Sequence, residues 1–197
     1  MHEKMNIQTS PVSSFLLSAV VAFCGNLVSR IEAQAQVAEE IRQQGNDLAN
    51  DGDCLAASRL YTKAIEMDPG LSRAYFNRAN CIVYSLPNIS HCIGPKDLAA
   101  ALADFGKAIE LEPSNTEYLT YRANCLSDMK IYDEAIADFT RAIAIDPAWP
   151  TFFSRARTKL EMGDREGACA DYEMMPDSGN PEVQSSVELA KQVSCPK

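Results

Sequence analysis

Histidine is almost missing from this chain. It occurs twice in 197 residues, as His2 and His91, and tryptophan occurs once. So few imidazoles leave little material for a histidine general base or a histidine-rich zinc cage. The seven cysteines never form a C-x-x-C pair, which removes the thioredoxin-like motif and the zinc knuckle. No glycine-rich phosphate loop and no triad-like arrangement is visible. Positive charge is short as well. Lysine and arginine total 18 against 27 acids, a net charge of −9, whereas a nucleic-acid binder needs a basic footprint. Long apolar runs are also lacking. A membrane-spanning helix needs about 20 apolar residues, and Val12–Ile31 reaches that length only by including several serines, Gly25 and Asn26.

A shorter apolar run is present near the start. "FLLSAVVAFC" (Phe15–Cys24) has the length of a signal-peptide core, and Ala33-Gln34-Ala35 fits the small-x-small pattern before a cleavage point. The segment before it is weakly basic, since Glu3 offsets Lys4. These features predict a signal peptide or hydrophobic leader over residues 1–35 and an exported chain: periplasmic, lumenal or secreted. An uncleaved anchor is the alternative, and the only route by which a membrane enters the reading. Removing residues 1–35 takes away Lys4 and Arg30 with Glu3 and Glu32, so the remainder keeps the charge of −9.

The body of the chain repeats itself. "RANC" occurs at Arg78–Cys81 and again at Arg122–Cys125. Pro69, Pro113 and Pro147 follow matching helical runs, "EMDPG", "ELEPS" and "AIDPA", at spacings of 44 and 34. Gly45, Ala79, Ala123 and Ala156 recur as small residues in first helices. Ala57, Ala101, Ala135 and Ala168 recur in second helices, each followed four positions later by Tyr61, Phe105, Phe139 or Tyr172. The small residues let two helices approach closely, and the aromatics fill the wedge between them. Proline ends each second helix.

A period of 34 with the pattern W-x2-L-G-x2-Y, A-x3-F, P marks the tetratricopeptide repeat, and the chain resembles that family over roughly residues 37–175. The resemblance implies an all-α, right-handed superhelical solenoid of helix-turn-helix units. The repeats fall at 38–71, at 72–115 with a ten-residue insertion, at 116–149, and at 149–179 in degenerate form. Asn180 and Pro181 open an expected capping helix over residues 181–193.

Arginine and aspartate recur together. Arg122 and Asp138 are 16 residues apart, as are Arg155 and Asp171, and Arg78 and Asp104 are 16 apart once the insertion is subtracted. Repeat one lacks both, with Gln44 and Leu60 in their places. Joint presence and joint absence predict structural pairs linking the helices of a repeat or neighbouring repeats. An arginine ladder for an acidic ligand is the alternative. Cys81 and Cys125 read as small buried side chains, too far apart for a mutual disulfide. Cys54 with Cys92, and Cys169 with Cys195, are better-placed candidates.

In the family the concave face carries ligands. By resemblance the peptide groove takes Arg42, Asn46, Arg73, Phe76, Asn77, Asn80, Tyr84, Asn124, Phe153 and Arg157. Asn46, Asn80 and Asn124 form a polar column whose amides can donate and accept towards a peptide backbone. Arg42, Asn46 and Asn77 match part of the carboxylate clamp of co-chaperones that hold acidic tails. Glu117 and Tyr121 stand where that clamp has lysine and arginine, so clamp function is not expected. The insertion "SLPNISHCIG" (Ser85–Gly94) carries loop signals and the sequon Asn88-Ile89-Ser90. Its His91 and Cys92 are too little evidence for catalysis. The expectation is a non-enzymatic module, free of cofactor and metal, that holds an extended peptide or partner helix. An assembly or chaperone-like factor outside the cytosol is the form of module expected. A structural subunit that oligomerises through its convex face or stack ends is the alternative.

Overall fold

The computed structural model describes the backbone of residues 11–84 and 95–195, and the side chains of 25–83 and 98–195. Among these residues the chain is helical throughout: α1 (Pro11–Asn50), α2 (Cys54–Met67), α3 (Ser72–Tyr84), α4 (Pro95–Leu111), α5 (Thr116–Asp128), α6 (Tyr132–Ile145), α7 (Trp149–Met162), α8 (Arg165–Met174) and α9 (Pro181–Ser194). Each helix packs on the next in chain order, and α1 also meets α3, as α5 meets α7. Four helical hairpins are thus stacked, with α9 laid against the last. The insertion Ser85–Gly94, with its sequon, His91 and Cys92, lies outside the described residues, as does the side chain of Tyr84.

Close approach inside each hairpin rests on the small residues. Ala57, Ala79, Ala101, Ala123, Ala135, Ala156 and Ala168 are fully buried. At Gly45 an added Cβ would sit 2.6 Å from a ring carbon of Tyr61, so α1 and α2 could not keep their spacing with any larger residue. Tyr61, Phe105, Phe139 and Tyr172 are buried in the wedges. No hairpin covers its own apolar face, so burial comes from stacking. α9 finishes the stack: its Val187 is buried with Ala156, Ala168 and Tyr172, and Val183 and Ala190 pack against them.

Local signals place the helix ends. Asp53, Asn115, Asp164 and Asn180 each accept a hydrogen bond from a first-turn amide. Asp68 and Asp146 precede prolines and are extended, as proline demands of its predecessor. The turns inside hairpins one, three and four each hold one residue with positive φ: Gly52 (88°), Lys130 (63°) and Gly163 (98°). Lysine therefore occupies a left-handed position that glycine fills in the sister repeats.

The three arginine–aspartate pairs form, and they span more than one repeat. Arg78 donates through Nε and Nη2 to Asp104, both at 2.7 Å. Arg122 does the same to Asp138 at 2.7 and 2.8 Å, and Arg155 to Asp171 at 3.0 and 2.5 Å. The remaining nitrogen reaches backwards. Arg78 Nη1 donates to Thr62 of the preceding repeat at 3.0 Å, and Arg155 Nη1 to Thr140 at 2.9 Å. The equivalent residue facing Arg122 is Gly106, 3.7 Å from Nη1 when a Cβ is built on it. Hydrogen bonding to the aspartates raises the pKa of Arg78 and Arg122 above its ordinary value, against the opposing effect of burial.

One cysteine expectation holds and two change. Cys169 and Cys195 are bonded, tying α8 to the end of α9. Cys54 is a free thiol, so the expected bond to Cys92 is not made. The reason is packing order: the first turn of α2 rests on α3, and Cys54 joins a cluster with Cys81, Ala57 and Tyr61. Cys81 is buried and free, whereas Cys125 is disulfide-bonded rather than a free thiol filling the core.

Candidate functional site

The concavity over the first helices begins with α1. Residues 25–34 of this helix are exposed, and packing starts near Ala38, which is fully buried, and Ile41. Among the described residues no helix is long and apolar enough to cross a membrane. Beyond Ile41, α1 and α3 run side by side, and between them and α5 opens a depression of about 680 Å³. Arg42, Gln43, Asn46 and Asn50 line it from α1, Arg73, Phe76, Asn77, Asn80 and Cys81 from α3, and Glu117 from α5. Cys54 and Tyr61 reach it from α2.

Six of the groove residues expected from the sequence therefore converge: Arg42, Asn46, Arg73, Phe76, Asn77 and Asn80. The other described ones do not. Asn124, Phe153 and Arg157 lie outside this depression. Phe153 packs 6.1 Å from the ring of Tyr172, in the core beneath α9. Arg157 is exposed, with Glu161 at 3.9 Å. Adding α9 to the stack turns the fourth repeat's inner face into core, which the repeat pattern alone does not reveal.

Within the depression most polar atoms are engaged. Asn46 Oδ1 accepts from Tyr61 Oη at 3.0 Å and from Asn77 Nδ2 at 2.7 Å. Burial pushes the Tyr61 hydroxyl up to about 12, so it stays a donor to Asn46. Arg42 is held by Glu39, which it meets through Nε at 2.7 Å and again through Nη2. Arg73 donates to Glu117 at 2.5 Å and stands over the rings of Phe76 and Tyr118. Phe76 is itself buried, edge-on to Tyr121 at 5.0 Å. One atom stands apart. Asn80 Oδ1 is buried and finds no donor among the described residues, and a buried acceptor left unpaired costs about 1–3 kcal/mol.

This arrangement suits a donor-rich, extended ligand. Amides at Asn77 and Asn80 precede Cys81 along α3, and the two cations, Arg42 and Arg73, are each already paired to a carboxylate. Among the described residues no three His, Cys, Asp or Glu side chains converge on a metal position. Sequence reasoning missed the hold of Tyr61 on Asn46, the pairing of Arg73 with Glu117, and the thiols at the edge of the depression. Identical spacing of Arg73 and Glu117 within their own repeats is a signal that could have found the second of these.

Comparison with known proteins agrees with the geometry. A family model, the tetratricopeptide repeat, matches residues 116–148, which are α5 and α6 with their turns. The stack is a tetratricopeptide-repeat solenoid. Solved structures carry the same fold at low identity. The first tetratricopeptide domain of Spaghetti (RPAP3), bound to an HSP90 peptide, superposes with a TM-score of 0.58 and 22% identity, covering 66% of this chain and 95% of that one. The Arabidopsis OM64 tetratricopeptide domain gives 0.56 and 21%, covering 65% and 98%. Pseudomonas aeruginosa pilF gives 0.63 and 18%, covering 82% and 72%. No curated protein sequence matches the chain. These structures show the fold, a stack of tetratricopeptide helical hairpins.

Proposed function

We propose that the chain is a non-enzymatic binding module that holds an extended peptide across α1, α3 and α5. The observation that carries this is the depression lined by the amides of Asn46, Asn77 and Asn80; the buried, unpaired Asn80 Oδ1 becomes an acceptor for a peptide amide once its side chain turns into the depression. The peptide's own carbonyls would meet Asn77. The Spaghetti domain binds an acidic HSP90 peptide, and Arg42, Asn46 and Asn77 resemble part of such a site. Glu117 argues against the same ligand here, because it already neutralises Arg73 and would repel a terminal carboxylate.

The place of action in this reading is outside the cytosol. The apolar Phe15–Cys24 run, the Ala33-Gln34-Ala35 pattern and the exposure of the described residues before Ala35 support removal of a leader. The Cys169–Cys195 bond suits an oxidising compartment. An assembly or chaperone-like role is the form of binding this supports. A second reading, association through the stack end, draws on the exposed Leu189 and Val193 of α9.

Panning a random peptide library on the full chain tests the proposal. Enriched peptides are expected to compete with one another and to shift the amide resonances of Arg42, Asn77 and Asn80. A footprint confined to α9, or no enrichment, would contradict it. Size-exclusion chromatography with light scattering separates the readings further, since a monomer favours the groove.

A further inference from the structure

Cys54 and Cys81 are free thiols that face one another. Cys54 is the first residue of α2 and partly buried; Cys81 lies in the last turn of α3 and is buried. They share a cluster with Ala57 and Tyr61 and both line the groove. Cys54 packs against the buried cluster that holds Cys81. The pair straddles a repeat boundary, because α2 closes the first hairpin and α3 opens the second. No catalytic or binding role already described uses either sulfur, and a disulfide needs Cα atoms within about 7 Å, a separation that residues of one cluster on two directly packed helices can reach.

We propose that Cys54 and Cys81 are a reversible disulfide site, oxidised by thiol–disulfide exchange with a low-molecular-weight disulfide, that locks repeat one to repeat two beside the groove. The order of attack follows from exposure. The thiolate of Cys54, the sulfur that a reagent in the groove can reach, displaces one thiolate from the small disulfide and forms a mixed disulfide. Cys81 then gives up its proton to solvent, attacks the Cys54 sulfur and expels the second thiolate. Two protein thiols and one small disulfide become one protein disulfide and two small thiols, with no other electron acceptor needed. Burial pushes the Cys81 thiol up to about 12, which keeps it protonated until the mixed disulfide brings an electrophilic sulfur against it. A thiol so held is inert towards bulk oxidants, and the intramolecular geometry of the second step offsets its small thiolate fraction. Oxidation would remove a thiol proton next to Asn80 and fix the angle between α2 and α3.

The test uses the full chain incubated across a series of oxidised-to-reduced glutathione ratios, quenched in acid and alkylated after denaturation. Trypsin cuts at Arg59, Arg78 and Lys96, so Cys54 and Cys81 fall on separate peptides, and fragmentation distinguishes Cys81 from Cys92 on the second. The expected result is that both lose alkylation together with a single midpoint, that a cross-linked Cys54–Cys81 peptide pair appears, and that the thermal midpoint of the oxidised form rises. In Cys54→Ser, Cys81 is expected to remain alkylatable over the whole series. Accumulation of a stable glutathione adduct on Cys54 with Cys81 still reduced would overturn the proposal, as would a cross-link to a second chain. Both readouts are independent of what the groove binds.

Discussion

Asp171 receives two cations where Asp104 and Asp138 each receive an arginine. Lys159 Nζ lies 2.9 Å from its second oxygen, and its side chain is 2% exposed. Removing one member of a buried ion pair leaves the other uncompensated, so Asp171→Ala is expected to cost about 3–5 kcal/mol. Asp138→Ala should cost less, because the Arg122 side chain is 27% exposed and water can reach it. Arg122→Ala and Asp138→Ala should be non-additive, with a coupling of about 0.5–3 kcal/mol, measured by urea unfolding. Additive losses would show that the pair is not one unit. The backward bonds to Thr62 and Thr140 give a second residue-scale expectation. Gly106→Thr supplies the hydroxyl that Arg122 lacks, and removes a glycine from the interior of α4. It should stabilise by about 1 kcal/mol, seen as a higher urea midpoint with an unchanged slope.

Helix geometry decides the next level. Gly52 and Gly163 sit in left-handed turns between the helices of their hairpins, and Lys130 holds the same conformation at φ 63°. An L-residue there carries a cost of about 1–2 kcal/mol, partly offset by the lower chain entropy of lysine in the unfolded state. Lys130→Gly should therefore stabilise the third hairpin by about 1 kcal/mol, and slower amide exchange in α5 and α6 would report it. A neutral or destabilising effect would mean that the lysine side chain contributes at that turn. At this scale the sequence was most legible. The alanine and aromatic positions, the prolines and the Asn180 cap are each set by contacts inside one hairpin, so spacing along the chain predicts them. Thr62 under Arg78, Cys54 against Cys81 and Tyr61 on Asn46 were not legible. They depend on the angle between neighbouring helices, which no spacing encodes. The place of Phe153 in the core escaped for a related reason: a capping helix buries a face that every internal repeat leaves open.

For the whole molecule, the question is what lies in the groove. Arg42 and Arg73, the cations that line it, are paired to Glu39 and Glu117, so the surface offers amides rather than free positive charge. Glu117→Lys should remove the repulsion and release Arg73. Affinity for a short peptide with an acidic C-terminus is then expected to rise by about 10-fold or more, measured by fluorescence anisotropy at fixed salt. No gain would mean that Tyr121, packed edge-on to Phe76, also blocks the carboxylate.

The central claim is that the amides of α3 hold the ligand. Titration of a peptide selected on the full chain into wild type, Asn77→Ala/Asn80→Ala and Arg157→Ala tests it most directly. The account predicts a loss of about 10-fold or more for the asparagine double variant, as expected when paired buried polar groups are removed, and an unchanged Kd for Arg157→Ala. An unchanged Kd for the asparagine variant, with circular dichroism showing it folded, would contradict the account.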